Sequence, residues 1–157
     1  MADFQESLVV GLELETKVLN MIRKKYPCAT LIQAFKGYDI WIPETNEGVE
    51  VKRDVKSTET GNLVVEIEMN GKPSALFTTK ASWWVFHDGE MFAWIRPLEL
   101  MKLIMLGNYK WAEFVGNGDT KSKKAYLIPK GEIYKNCALL RNKYGETIKN
   151  ERQQLRA

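Results

Sequence analysis

Phe4, Leu8, Gly11/Leu12, Glu15, Val18/Leu19 and Ile22, apolar but for Glu15, recur at three-to-four-residue steps, and the pattern ends at Pro27. That period predicts an N-terminal helix of about six turns. The period then drops to two. Thr30–Phe35 and Tyr38–Ile42 read as strands, the second stopped by Pro43, and a turn through Thr45–Gly48 leads into Val49-Glu50-Val51-Lys52. There apolar and charged residues alternate strictly, as they do again over Leu63–Glu68 between polar turns at Ser57–Asn62 and Asn70-Gly71. Trp83–Phe86 and Met91–Ile95 predict two strands joined at Asp88-Gly89. Leu98–Leu106 predicts a short buried helix, Ala125–Ile128 a late strand, and Glu132–Lys143 a final helix. The polar end from about residue 145 reads as a frayed basic terminus. No internal repeat interrupts the series. The expectation is one domain over residues 1–157, of mixed α/β (α+β) class.

Composition narrows the chemistry. With 157 residues, 45% hydrophobic and 27% charged, the chain is of ordinary globular type and needs neither disulfide nor structural metal. No apolar run reaches the roughly 20 residues of a membrane span, and the start lacks the features of a signal peptide, so a reducing cytoplasm and no membrane partner are expected. Cys28 and Cys137 stand far apart and His87 is the single histidine, which argues against a zinc site or a histidine-based hydrolase. The cysteines read as small buried hydrophobes and His87 as a turn residue.

Net charge is +3, yet residues 1–116 carry 13 basic and 16 acidic side chains whereas residues 117–157 carry 10 basic and four acidic. A C-terminal part at +6 fits an anionic partner such as nucleic acid, or a solvated basic tail. Lys121, Lys123 and Lys124, beyond Gly116–Asp119, are the best phosphate-backbone patch if they share one mobile loop; a solvated loop reads equally well. Thr78, Thr79 and Lys80 could touch a phosphate or simply end a helix. Trp41, Trp83, Trp84 and Trp94 read as core, whereas Tyr109 and Trp111, taken as loop residues, are better placed to stack on bases. Gln33 is a weaker candidate, for orienting water.

Alternation puts Glu50 and Lys52 on one face of their strand, and Asp39 lies among Ile40, Trp41 and Ile42, where a carboxylate needs a physical reason. Glu-x-Lys alone is also an ordinary solvated strand face. Converging carboxylates repel, and a hard divalent cation relieves that repulsion.

Asp39, then Glu50-Val51-Lys52, after a helix bearing Gly11-Leu12-Glu13-Leu14-Glu15, resembles the PD-(D/E)XK nuclease superfamily. The helix is similar to the G-x-x-x-E helix of its Holliday-junction-resolvase-like branch. The stretches Asn62–Glu68, Gly71–Ala75 and Thr78–Trp84 resemble small phage-type members. Two departures stand out: Tyr38 replaces the motif's proline, and Ser82 stands where an aspartate is usual. The resemblance implies a restriction-endonuclease-like core, a central mixed sheet flanked by helices. It implies a Mg²⁺- or Mn²⁺-dependent endonuclease cutting DNA, structure-selective for branched DNA or serving phage DNA processing in the host cytoplasm. By the same resemblance Asp39, Glu50 and the Val51 carbonyl hold metal, Lys52 is the catalytic lysine and Glu15 an accessory acid. A homodimer is one option, and no small-molecule cofactor is implied. The rival reading is a non-catalytic DNA-binding module that keeps the fold; a protein-interaction subunit is a third.

Overall fold

The computed structural model describes residues 2–35, 37–115 and 120–150. Helix α1 (Ala2–Arg23) is followed by strands β1 (Thr30–Leu31), β2 (Ile40–Ile42) and β3 (Glu47–Arg53). A one-turn helix α2 (Ser57–Thr60) precedes β4 (Asn62–Met69), β5 (Lys72–Pro73) and a 3₁₀ turn at Ala75–Phe77. Then come β6 (Trp83–His87), β7 (Phe92–Ile95), α3 (Pro97–Leu106), β8 (Lys110–Val115), β9 (Ser122–Pro129), α4 (Lys130–Asn136), β10 (Leu139–Arg141) and β11 (Thr147–Asn150).

Two sheets result. The first runs β1-β2-β3-β6-β7-β10-β11, and the second β5-β4-β9-β8. In the first, β3 and β6 are parallel, with Glu50 opposite Trp84 and Lys52 opposite Phe86, while the other neighbours are antiparallel. The mixed sheet is therefore as expected. Its flanking layers are not: α1 covers one face, but the other is covered mainly by the second sheet, with α3 and α4 filling beside it.

Period-two alternation explains the two cores. Val49, Val85, Phe92 and Trp94 meet Leu14, Val18, Leu19 and Ile22 of α1. Trp84, Phe86, Ala93 and Ile95, one residue out of phase, meet Leu63, Val65 and Ile67 of β4 with Ile128, Leu100 and Ile133. Trp84 and Phe86 are buried almost completely, each worth roughly 1.5–3 kcal/mol of apolar transfer. The chain leaves the first sheet at Asp54, whose amide donates to the His87 carbonyl and whose carboxylate accepts the Val64 amide of the second. Asn70 and Gly71, at φ 51° and 77°, form the turn between β4 and β5; the mirror-image turn needs positive φ at both positions, which asparagine and glycine tolerate.

Several expectations need correction. The helix expected over Glu132–Lys143 stops at Asn136, and Leu139–Arg141 instead pairs with β7 as β10. Tyr109, Lys110 and Trp111 were expected in a loop; Lys110 and Trp111 begin the edge strand β8. Part of the polar end is strand β11, while residues 151–157 and the loop Gly116–Asp119 lie outside the described residues. Cys137 is buried as expected, but Cys28 is exposed. Among the described residues no helix is long and apolar enough to cross a membrane.

Candidate functional site

Beyond Val49, β3 pairs with no strand of the described residues on its β2 side, because β2 pairs with it only from Glu47 to Val49. Asp39 fills that place. Its amide donates to the Val49 carbonyl at 2.9 Å, its carbonyl accepts from Ile32 at 2.8 Å, and its Oδ2 accepts the Val51 amide at 2.8 Å. The carboxylate thus substitutes for a missing strand. In an extended strand the N–H and C=O of one residue point to the same side, so the Val51 carbonyl shares this edge with Asp39. Gly48 contributes by absence: a Cβ there would sit 2.4 Å from the Tyr38 ring, which also stacks on Trp41. Tyr38 therefore packs directly on β3, immediately before Asp39.

Glu50 and Lys52 project from β3 on the face shared with Trp84. Lys52 Nζ lies 3.2 Å from Glu50 Oε1 and 5.0 Å from the Trp84 ring centroid. Glu15 reaches the same edge from α1. Its half-buried side chain shares a hydrogen bond with Asp39, while Glu13 is exposed. Glu15, Asp39, Glu50 and Lys52, with the Val51 backbone, therefore meet around one free sheet edge.

Their electrostatics follow from crowding. Burial first, then the charges of Asp39 and Glu50, push the Glu15 carboxyl up to about 7. Burial also raises Asp39, against the opposing Val51 amide and Lys52. Burial raises Glu50, with Lys52 again opposing. Two observations bear on a cation in opposite directions. Three crowded carboxylates facing one lysine are a donor set that suits a hard divalent ion. Yet among the described residues no three His, Cys, Asp or Glu side chains are grouped so that they could hold a metal ion. Asp39 Oδ2 is bonded to an amide and Glu50 is paired with Lys52, so the acids are neighbours held by protein contacts.

A protonated Glu15 favours the folded state. Its contribution is full below about 4.5 and is lost as pH rises through about 7. Glu15→Gln is accordingly expected to raise the thermal midpoint at pH 8 by about 2–4 °C, after discounting for partial exposure, and to leave it unchanged at pH 4. Circular-dichroism melts at the two pH values check this; an equal effect at both would contradict it.

The residues proposed for nucleic acid are dispersed. Lys123 and Lys124 are consecutive in β9 and point to opposite faces, so they do not form the single loop patch with Lys121 that was expected. Lys123 Nζ is 3.7 Å from Glu66, and Lys124 Nζ lies 4.2 Å over Trp111. The Thr79 hydroxyl accepts the Trp84 indole N–H and the Ala81 amide, so it braces the tryptophan beneath Lys52. Lys80 and Thr78 are exposed, Lys80 Nζ lying 5.9 Å over the Phe35 ring. Gln33 is exposed.

Sequence spacing missed a second polar centre. Asp88, 5% exposed, accepts the amides of Glu90 and Met91 and the Tyr134 hydroxyl, and lies 3.5 Å from Lys130. Burial pushes its carboxyl up, but these partners outweigh burial and hold it below the usual range. Asp88-Gly89 signals only a turn, and Tyr134 is 46 residues away. A cleft of about 440 Å³ on the α1 face was likewise unforeseen; it is lined by Lys25, Arg96 and Arg141 and by none of the clustered carboxylates. No protein-family model, curated protein or solved structure matches the chain.

Proposed function

We propose that the chain is a divalent-cation-dependent nuclease hydrolysing phosphodiester bonds in DNA. The observation that carries this reading is the convergence of Glu15, Asp39, Glu50 and Lys52 on the free edge of β3, the edge the Val51 carbonyl shares. Asp39, Glu50 and the Val51 carbonyl would hold Mg²⁺ or Mn²⁺, which supplies water activation and offsets charge on the phosphodiester. The protein's own groups do the rest. Lys52, its ammonium beside Glu50 and over Trp84, would offset the negative charge that grows on the phosphorus oxygens. Glu15, titrating near neutrality, can take up a proton released at the site and return it to solvent. The uneven charge of the chain, +6 over residues 117–157, suits a polyanionic substrate.

The test is cleavage of supercoiled plasmid, single-stranded DNA and a four-way junction, with Mg²⁺, with Mn²⁺ and with chelator, by wild type and Glu50→Ala. Cation-dependent cleavage lost in the variant supports the reading; equal activity in both proteins rejects it. A second reading has one observation in its favour, the lack of a gathered metal shell among the described residues. It is a non-catalytic DNA-binding module, whose binding would fall with salt, need no divalent cation and survive Glu50→Ala.

A further inference from the structure

We propose that the cleft on the α1 face of the first sheet binds a small phosphorylated ligand of about nucleotide size. It lies between α1, the start of β3 and strands β6, β7 and β10, with Ile22, Val49 and Trp94 among its walls. Val49 and Trp83 face α1, whereas Glu50 and Lys52 project on the side of Trp84, and none of Glu15, Asp39, Glu50 and Lys52 lines the cleft. The inference therefore stands independently of the nuclease reading.

Three cations, Lys25, Arg96 and Arg141, line the cleft against one carboxylate, Glu47. Glu47 is already engaged by Arg96, at 3.1 Å between Nη1 and Oε2, and the Arg96 guanidinium lies 3.9 Å from the centroid of the Trp83 ring. Arg96 is thereby held against an aromatic surface, its Nη1 also donating to the Ser82 carbonyl at 3.4 Å, which limits the directions its N–H donors can take. Arg141 is the more telling residue. Its Nη1 donates to the Gly145 carbonyl at 3.0 Å, and its Nε–H is buried without an acceptor among the described residues. A buried guanidinium donor left unpaired costs free energy that an anion would recover. Burial also pulls the Arg141 pKa down.

Phosphate matches these donors, because guanidinium groups bond its oxygens in pairs and an ammonium adds charge without demanding direction. The volume of about 440 Å³ exceeds what phosphate alone would fill and lies within the usual range of small-molecule sites. The apolar and aromatic walls suit the sugar or base that such a phosphate carries.

The experiment is calorimetric titration of the full chain with 5′-AMP, ribose 5-phosphate, inorganic phosphate and adenosine. AMP and ribose 5-phosphate are expected to bind with Kd below about 1 mM, phosphate more weakly, and adenosine not detectably. Comparable affinity for AMP and ribose 5-phosphate assigns the walls to the sugar, and a clear preference for AMP assigns them to the base; both support the proposal. Arg141→Gln is expected to weaken AMP binding about tenfold or more, and Lys25→Gln, at an exposed position that leaves the fold untouched, about threefold. The proposal is overturned if AMP produces no saturable heat up to about 10 mM. It is also overturned if adenosine binds as well as AMP, or if Lys25→Gln and Arg141→Gln both bind AMP like wild type.

Discussion

Lys52→Met is expected to slow cation-dependent DNA cleavage by about 10²–10³-fold, the size of effect seen when one preorganised donor to transition-state charge is removed. Methionine keeps an unbranched stem that can lie on the Trp84 ring, so packing survives while the ammonium is lost. The Lys52–Glu50 pair is partly exposed, and its loss is expected to cost no more than about 1 kcal/mol of stability. Removing the cation also deletes the main influence opposing burial at Glu50, so the Glu50 carboxyl should titrate still higher. The acidic limb of the pH–rate profile is then expected to move toward neutral pH in the variant. A plasmid-nicking time course across pH 5–9, beside a thermal melt, measures both. Undiminished cleavage by Lys52→Met would remove Lys52 from the chemistry.

Asp88→Ala is expected to destabilise the fold by about 3–5 kcal/mol, more than any surface charge could. The deletion strands the Glu90 and Met91 amides, the Tyr134 hydroxyl and the Lys130 ammonium together. Asp88 also ties the β6–β7 turn to α4, two parts of the chain with no local reason to stay adjacent. Because its folded carboxyl is held below the usual range, its ionised form favours folding. That contribution is present above the unfolded value near 3.8 and lost as pH falls below it through the lower folded value. Asp88→Asn should therefore be destabilised above pH 5 and should lose part of the wild type's acid sensitivity below pH 4. Urea titrations at pH 7 and pH 3.5 check both; a loss under about 1 kcal/mol at pH 7 would show Asp88 to be dispensable.

What was legible in the chain was local. Alternation over Val49–Lys52 and Leu63–Glu68 located β3 and β4, because each buries one face and a one-residue slip would invert it. The same alternation placed Glu50 and Lys52 side by side, and the helical period brought Glu15 rather than Glu13 to the buried side. The misreadings were non-local. Cys137, Leu139 and Leu140 continue an apolar pattern compatible with a helix, but after Asn136 they gain more by pairing with β7 and closing over the core, a partner more than 40 residues back. Lys110–Val115 is exposed at nearly every position, as an edge strand with one neighbour can be, so periodicity carried no signal. The role of Asp39 as a surrogate strand partner for Val51 likewise depends on where β2 stops, which no residue spacing encodes.

The parallel join of β3 to β6 has a consequence for how the chain comes into being. Residues 54–82 leave the first sheet to build part of the second, and β9, which β4 needs as its neighbour, begins only at Ser122. On the ribosome the clustered carboxylates emerge before Trp83–His87, so β3 lacks its parallel neighbour until that strand arrives, and β7 waits for Leu139–Arg141. A nascent chain can therefore complete neither layer until Ser122–Pro129 and Leu139–Arg141 have been made, and maturation is paced by the arrival of those strands.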